Sequence, residues 1–117
     1  MKTMEYKFKA KHNGEWVYGG IYQEGNKTYV VTKDKENSSF VLADEGSVCI
    51  RTPYSNEKQE IWEHDIVKHQ EHTGIVRFGE DGSRQFCFYI LWMEDKFLRT
   101  DLAFWADKVE VIKNEYD

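Results

Sequence analysis

The chain has 117 residues, with 16 Lys+Arg against 21 Asp+Glu and a formal charge of −5. With 40% hydrophobic and 15% aromatic residues it is too apolar for a disordered polymer, and no apolar run approaches the ~20 residues a membrane-spanning helix needs. Two cysteines make neither a disulfide framework nor a complete zinc site, and residues 1–11 mix charged and apolar side chains unlike a secretory signal.

Residues 4–11 are predicted to form a strand, with Tyr6, Phe8 and Ala10 on one face and Lys7, Lys9 and Lys11 on the other. Asn13-Gly14 is a strong hairpin signal, because both residues tolerate positive φ. Residues 16–22 return as a second strand whose even positions carry Trp16, Tyr18 and Tyr22. Within it, Gly19-Gly20 points to a bulge or a close backbone approach. Gly25-Asn26 makes the next turn and residues 27–32 a third strand. Turns this short join antiparallel neighbours, so an antiparallel meander is expected.

Residues 33–38 read as a polar loop, and 40–43 and 48–50 as short apolar runs around Asp44-Glu45-Gly46. Residues 52–60 read as either an exposed loop or a single helical turn. Strand entry follows at Ile66-Val67, then a strand over 74–78 and a hairpin turn over 79–82. Residues 84–93 form a long strand with Phe86, Phe88, Ile90 and Trp92 on one face and Cys87, Tyr89, Leu91 and Met93 on the other. Apolar residues on both faces predict a central, doubly covered strand. Residues 102–106 suggest one helical turn, 109–112 a closing strand, and 114–117 a frayed end.

Short strands separated by turn signals imply an all-β barrel or sandwich. The length favours one compact unit, with sub-lobes over 1–54 and 55–117. The first carries eight basic and seven acidic residues, net +1, and the second eight and fourteen, net −6. The acidic half argues against non-specific DNA binding.

Four segments then stand out in order: Trp16-Val17-Tyr18-Gly19-Gly20, Glu60-Ile61-Trp62-Glu63-His64-Asp65-Ile66-Val67, Gly74-Ile75-Val76 and Val109-Glu110-Val111-Ile112-Lys113-Asn114. Their order and spacing resemble the YopX family of small phage and prophage proteins, from Tyr6 to Tyr116. The family reads glycine where this chain has His64, and its Gly-Gln-Tyr-Thr-Gly-like segment is lost around residues 50–54. The resemblance implies a β fold with an SH3-like barrel in its C-terminal part. It brings no catalytic residue and no ligand.

The chemistry-bearing residues point the same way. His64, His69 and His72 lie close together beside Glu63, Asp65 and Glu71, but no standard zinc spacing is present, so no metal and no cofactor are expected. Cys49 and Cys87 sit in apolar runs and read as core thiols. Glu80/Asp81 and Glu94/Asp95 fall in predicted turns, where carboxylates solvate a loop. No nucleophile–base pattern is visible, and an enzyme is not expected.

The lysine face of the first strand reads as protection of a sheet edge. Aromatics outnumber what a small core needs. Trp16, Phe88, Ile90 and Trp92 are expected inside, and Trp62, Tyr18 and Tyr22 on an interaction surface. The expectation is therefore a non-enzymatic, self-associating or partner-binding accessory protein of the bacterial cytoplasm. The alternative is a nucleic-acid-binding SH3-like module using Lys7, Lys9 and Lys11.

Overall fold

The structure, a computed structural model, describes residues 7–34, 37–56, 58–80, 86–93 and 99–117. The described residues form ten strands and one four-residue helix, so the fold class is all-β. None of the described helical segments is long and apolar enough to cross a membrane. The expected strand residues 4–6, the turn at 81–82 and the pair Glu94/Asp95 lie outside the described residues. The chain divides into two compact units, residues 1–51 and 52–117.

The first unit is the antiparallel meander that its turns predict. It contains β1 (Phe8–His12), β2 (Glu15–Glu24), β3 (Lys27–Asp34), β4 (Asn37–Leu42) and the beginning of β5 (Cys49–Ser55), in the order β4-β3-β2-β1-β5. Asn13 and Gly14 take φ of 50° and 85°, the backbone that a two-residue hairpin with native twist requires. Gly25 supplies φ 63° at the next turn. In the predicted loop over 33–38, Lys33 pairs with Ser38 and Asp34 with Asn37 as the ends of β3 and β4, and residues 35–36 lie outside the described residues. Polar composition disguised this pairing, since a ladder needs only backbone groups. β1 is not an edge strand: β2 flanks it on one side and β5 on the other.

β2 changes partner at its glycine pair. Residues 15–19 pair with β1 and residues 20–24 with β3. A Cβ on Gly19 would lie 2.1 Å from the Val31 carbonyl oxygen, whereas one on Gly20 would meet nothing within 4 Å. The close approach, not a bulge, is therefore what the first glycine serves.

The second unit holds the rest of β5, then β6 (Glu60–Trp62), β7 (Asp65–His69), β8 (His72–Glu80), β9 (Phe86–Trp92), α1 (Leu102–Trp105) and β10 (Glu110–Asn114). Residues 52–55 are strand rather than loop or helix, and Thr52 Oγ1 donates to the Ile61 carbonyl at 2.7 Å. Asn56 Oδ1 accepts the backbone N–H of Lys58 and of Gln59, a side-chain-made turn. The antiparallel sheet runs β10-β7-β8-β9. Among the described residues β9 and β10 do not pair, so this sheet is open where the resemblance implied a closed SH3-like barrel.

Its core gathers Ile61, Val67, Val76, Ile90 and Leu102 around Trp92 and Trp105. The two indoles stack edge to face at 5.2 Å, and both ring N–H groups donate to the Arg99 carbonyl. That shared acceptor lets two large rings be buried without stranding a donor. β9 is last in the strand order, yet its far side is also paired: Tyr89 bridges Asp101, and the Ile90 N–H donates to the Thr100 carbonyl at 2.8 Å. Its inner face is buried at Ile90 and Trp92, but Leu91 is 52% exposed, and Met93, just beyond its end, 55%. The C-terminus is ordered, not frayed. Asn114 is buried, and its amide donates to Asp65 Oδ1 at 2.9 Å and to the Glu63 carbonyl at 3.2 Å.

The glycine pair gives a paired test. Gly19→Ala should destabilise the first unit by about 1–3 kcal/mol through forced overpacking, while Gly20→Ala should be neutral or slightly stabilising. Urea denaturation of both variants checks this, and equal midpoints would contradict the backbone approach at Gly19.

Candidate interaction face

Strand alternation assembles one surface in the first unit. On β2 the even positions Trp16, Tyr18, Gly20 and Tyr22 share a face. Across β1, Trp16 stands opposite Lys11 and Tyr18 opposite Lys9. Across β3, Tyr22 stands opposite Tyr29 and Gly20 opposite Val31. β4 then adds Leu42 opposite Tyr29 and Phe40 opposite Val31. Tyr18 is 39% exposed, Tyr22 45%, Phe40 59% and Leu42 44%. The Tyr22 ring lies 5.4 Å from Phe40 at 64° and 6.4 Å from Tyr29 at 42°. Tilted contacts of this kind are favourable between ring quadrupoles.

Tyr18 and Tyr22 are thus exposed as the sequence implied. Tyr29, Phe40 and Leu42 were missed. The two-residue turn after Glu24 already pairs Tyr22 with Tyr29, a signal present in the sequence. Phe40 and Leu42 were hidden because their strand was read as starting after a loop.

The lysines behave differently from the expectation. Lys7 is exposed and Lys11 half-buried, but Lys9 is only 7% exposed. The Lys9 and Lys11 ammonium groups lie 4.3 and 4.6 Å from the centre of the Trp16 ring. Lys11 Nζ also donates to the Gly14 carbonyl at 3.2 Å. A solvated lysine face is therefore replaced by two cations held on one indole, the strongest aromatic partner for a cation. Their methylene stems pack on the sheet while the charge is stabilised by the ring.

Trp62 is 6% exposed, which overturns its place on a surface. β6 is only three residues long and turns at once, so Ile61 and Trp62 are both buried despite charged neighbours. His69 and His72 face each other across the β7–β8 hairpin, but the three histidines do not form one cluster. His64 lies in the turn before β7, His69 stacks 4.9 Å from Trp105, and His72 lies 6.4 Å from Trp92. Among the described residues no three His, Cys, Asp or Glu side chains are placed to hold a metal. Cys49 is buried and Cys87 half-buried.

A polar cluster of the second unit surrounds His64. This residue takes φ 71°, a left-handed backbone that favours glycine. Its amide donates to the Val76 carbonyl and its own carbonyl accepts the Glu115 N–H. His64 Nδ1 is 2.9 Å from both Glu115 Oε1 and Arg77 Nη1, so it donates to the carboxylate in one tautomer and accepts from the guanidinium in the other. Arg77 Nη1 also donates to Glu115, and the His64 ring meets Tyr116 edge to face at 5.1 Å. The Arg77 hydrogen bond, helped by His64, holds the Glu115 carboxyl below the usual glutamate range. A carboxylate locked in that state is a poor proton donor at neutral pH. The cluster fastens the chain end to the β6–β7 turn.

No protein-family model, curated protein or solved structure matches the chain.

The depressed Glu115 pKa carries a sign. Its contribution is present above the unfolded-state glutamate pKa and is lost as pH falls through the lower folded value. Glu115→Gln should therefore lower stability by about 0.2–1 kcal/mol at pH 7. The gap to wild type should close as the pH drops below about 4. Urea midpoints measured across that range check it, and a gap that widens in acid would contradict it.

Proposed function

We propose that the protein is a non-enzymatic binding module that engages a protein partner through the aromatic face of the first unit. The observation that carries this reading is that Tyr22, Phe40 and Leu42, all substantially exposed, share one face of the β2–β3–β4 ladder, with Tyr18 exposed further along β2. Contiguous exposed apolar surface on a small protein marks an interaction site, and tyrosine is among the residues that dominate binding energy at interfaces. The partner is a phage or host protein of the bacterial cytoplasm, in line with the YopX resemblance, and the same face can serve a second copy.

A second reading has its own observation. Lys9 and Lys11 share the face of Trp16, Tyr18 and Tyr22, and lysines with aromatics are the elements of a single-strand nucleic-acid platform. Two features favour the protein partner. Both ammonium groups are already engaged on Trp16, and Glu24 lies on the same face, which a phosphate backbone would avoid.

The double variant Tyr22→Ser/Phe40→Ser should keep the fold, since both rings are exposed, and lose complex formation by at least about ten-fold, as expected for removal of two anchoring rings. Sedimentation velocity reads self-association, and quantitative capture from bacterial lysate reads the partner. Unchanged behaviour in both assays would overturn the proposal. Salt-sensitive nucleic acid in the captured fraction, lost with Lys9→Gln/Lys11→Gln, would establish the second reading in its place.

A further inference from the structure

One end of the aromatic face is hollow. Tyr22, Glu24, Tyr29 and Phe40 line a depression of about 320 Å³. Three of its four walls are rings, set at 42° and 64° to one another rather than stacked flat. The fourth is Glu24. Tyr22 and Glu24 come from alternate residues of β2, and Tyr29 and Phe40 reach the same face through the β2–β3 and β3–β4 registers.

The chemistry of such a hollow is selective. Ring faces carry the negative lobe of the aromatic quadrupole and attract cations. Glu24 adds a full negative charge at the same place. A neutral apolar group would leave that carboxylate facing it without a partner, at a desolvation cost. A lysine ammonium is compact and strongly hydrated, and one carboxylate cannot replace its water shell. A guanidinium is planar, weakly hydrated, stacks on rings and forks to a carboxylate.

We infer that this depression receives an arginine side chain of a partner protein, stacked on Tyr22 and Phe40 and paired with Glu24. The inference rests on the proposed protein-binding role of the face and names what the partner presents there. Lys27 stands opposite Glu24 across the turn but lines the neighbouring depression with Asn26 and Thr28. It is the nearby cation with which an incoming arginine competes.

The test is a nuclear magnetic resonance titration of the full chain with acetyl-Gly-Arg-Gly-amide, against the same peptide carrying citrulline, the neutral isostere. The arginine peptide should shift the ring signals of Tyr22, Tyr29 and Phe40 in a saturable way, with the citrulline peptide about five-fold weaker or more. Glu24→Gln, a surface change that leaves the fold intact, should erase that preference, and Lys27→Gln should sharpen it. Equal binding of the two peptides, shifts centred elsewhere, or no shift from the arginine peptide would each overturn the arginine assignment. Partner capture that still depends on Tyr22 and Phe40 would then leave the broader role standing. Capture indifferent to both rings would remove that role too.

Discussion

A sheet has two faces, and a unit whose described residues are strands and turns has too little chain to cover both. This constraint organises the first unit. Its fully buried apolar residues are the small ones, Ala10, Val30 and Cys49. Of its large ones, Phe8, Trp16, Ile21, Tyr29 and Ile50 are half-buried, and Tyr18, Tyr22, Phe40 and Leu42 are exposed. An ordinary small domain inverts that distribution, because burying large apolar side chains is its main source of stability. Aromatic side chains suit the exposed position. They form tilted pairs with one another and pack on a pleated surface. Their rings also tolerate water at the hydroxyl edge in Tyr18, Tyr22 and Tyr29.

The second unit solves the same problem by concentrating its large residues. Trp92 and Trp105 are buried against each other and satisfy their N–H groups on one carbonyl, that of Arg99. Its polar groups are spent on closure. Asp65 accepts the Trp62 N–H at 2.7 Å and the Asn114 amide at 2.9 Å, which ties the β6–β7 turn to the last strand. His64 accepts a left-handed backbone in the same turn, and its ring, Glu115 and Arg77 compensate with a charged network. The cluster therefore reads as a fastening of the chain end.

Much of the strand order was legible because the turns announce themselves. Asn13-Gly14 and Gly25-Asn26 set the register of β1 to β3, and with it the shared face of Tyr22 and Tyr29. What escaped was any element whose signal is not apolar. The paired ends of β3 and β4 have a polar alternation and read as a loop, and β5 carries Thr52, Pro53 and Ser55, so its second half reads as a loop or a helical turn. Exposure was harder still. Lys9 and Trp62 exchanged their expected places for local reasons. A lysine is buried cheaply when an indole takes its charge, and a tryptophan beside glutamates goes inside when its strand is too short to alternate. β9 shows the same limit: two apolar faces imply covering, yet Leu91 is exposed.

The most direct test of the central claim is photo-crosslinking of the full chain expressed in bacterial cells. A benzophenone-bearing phenylalanine is placed at position 40, on the aromatic face, or at position 78, an exposed ring of the second unit (45% exposed). The account predicts a discrete cross-linked species from position 40 and none from position 78. A species from position 78 alone, or the same pattern from both, would contradict it.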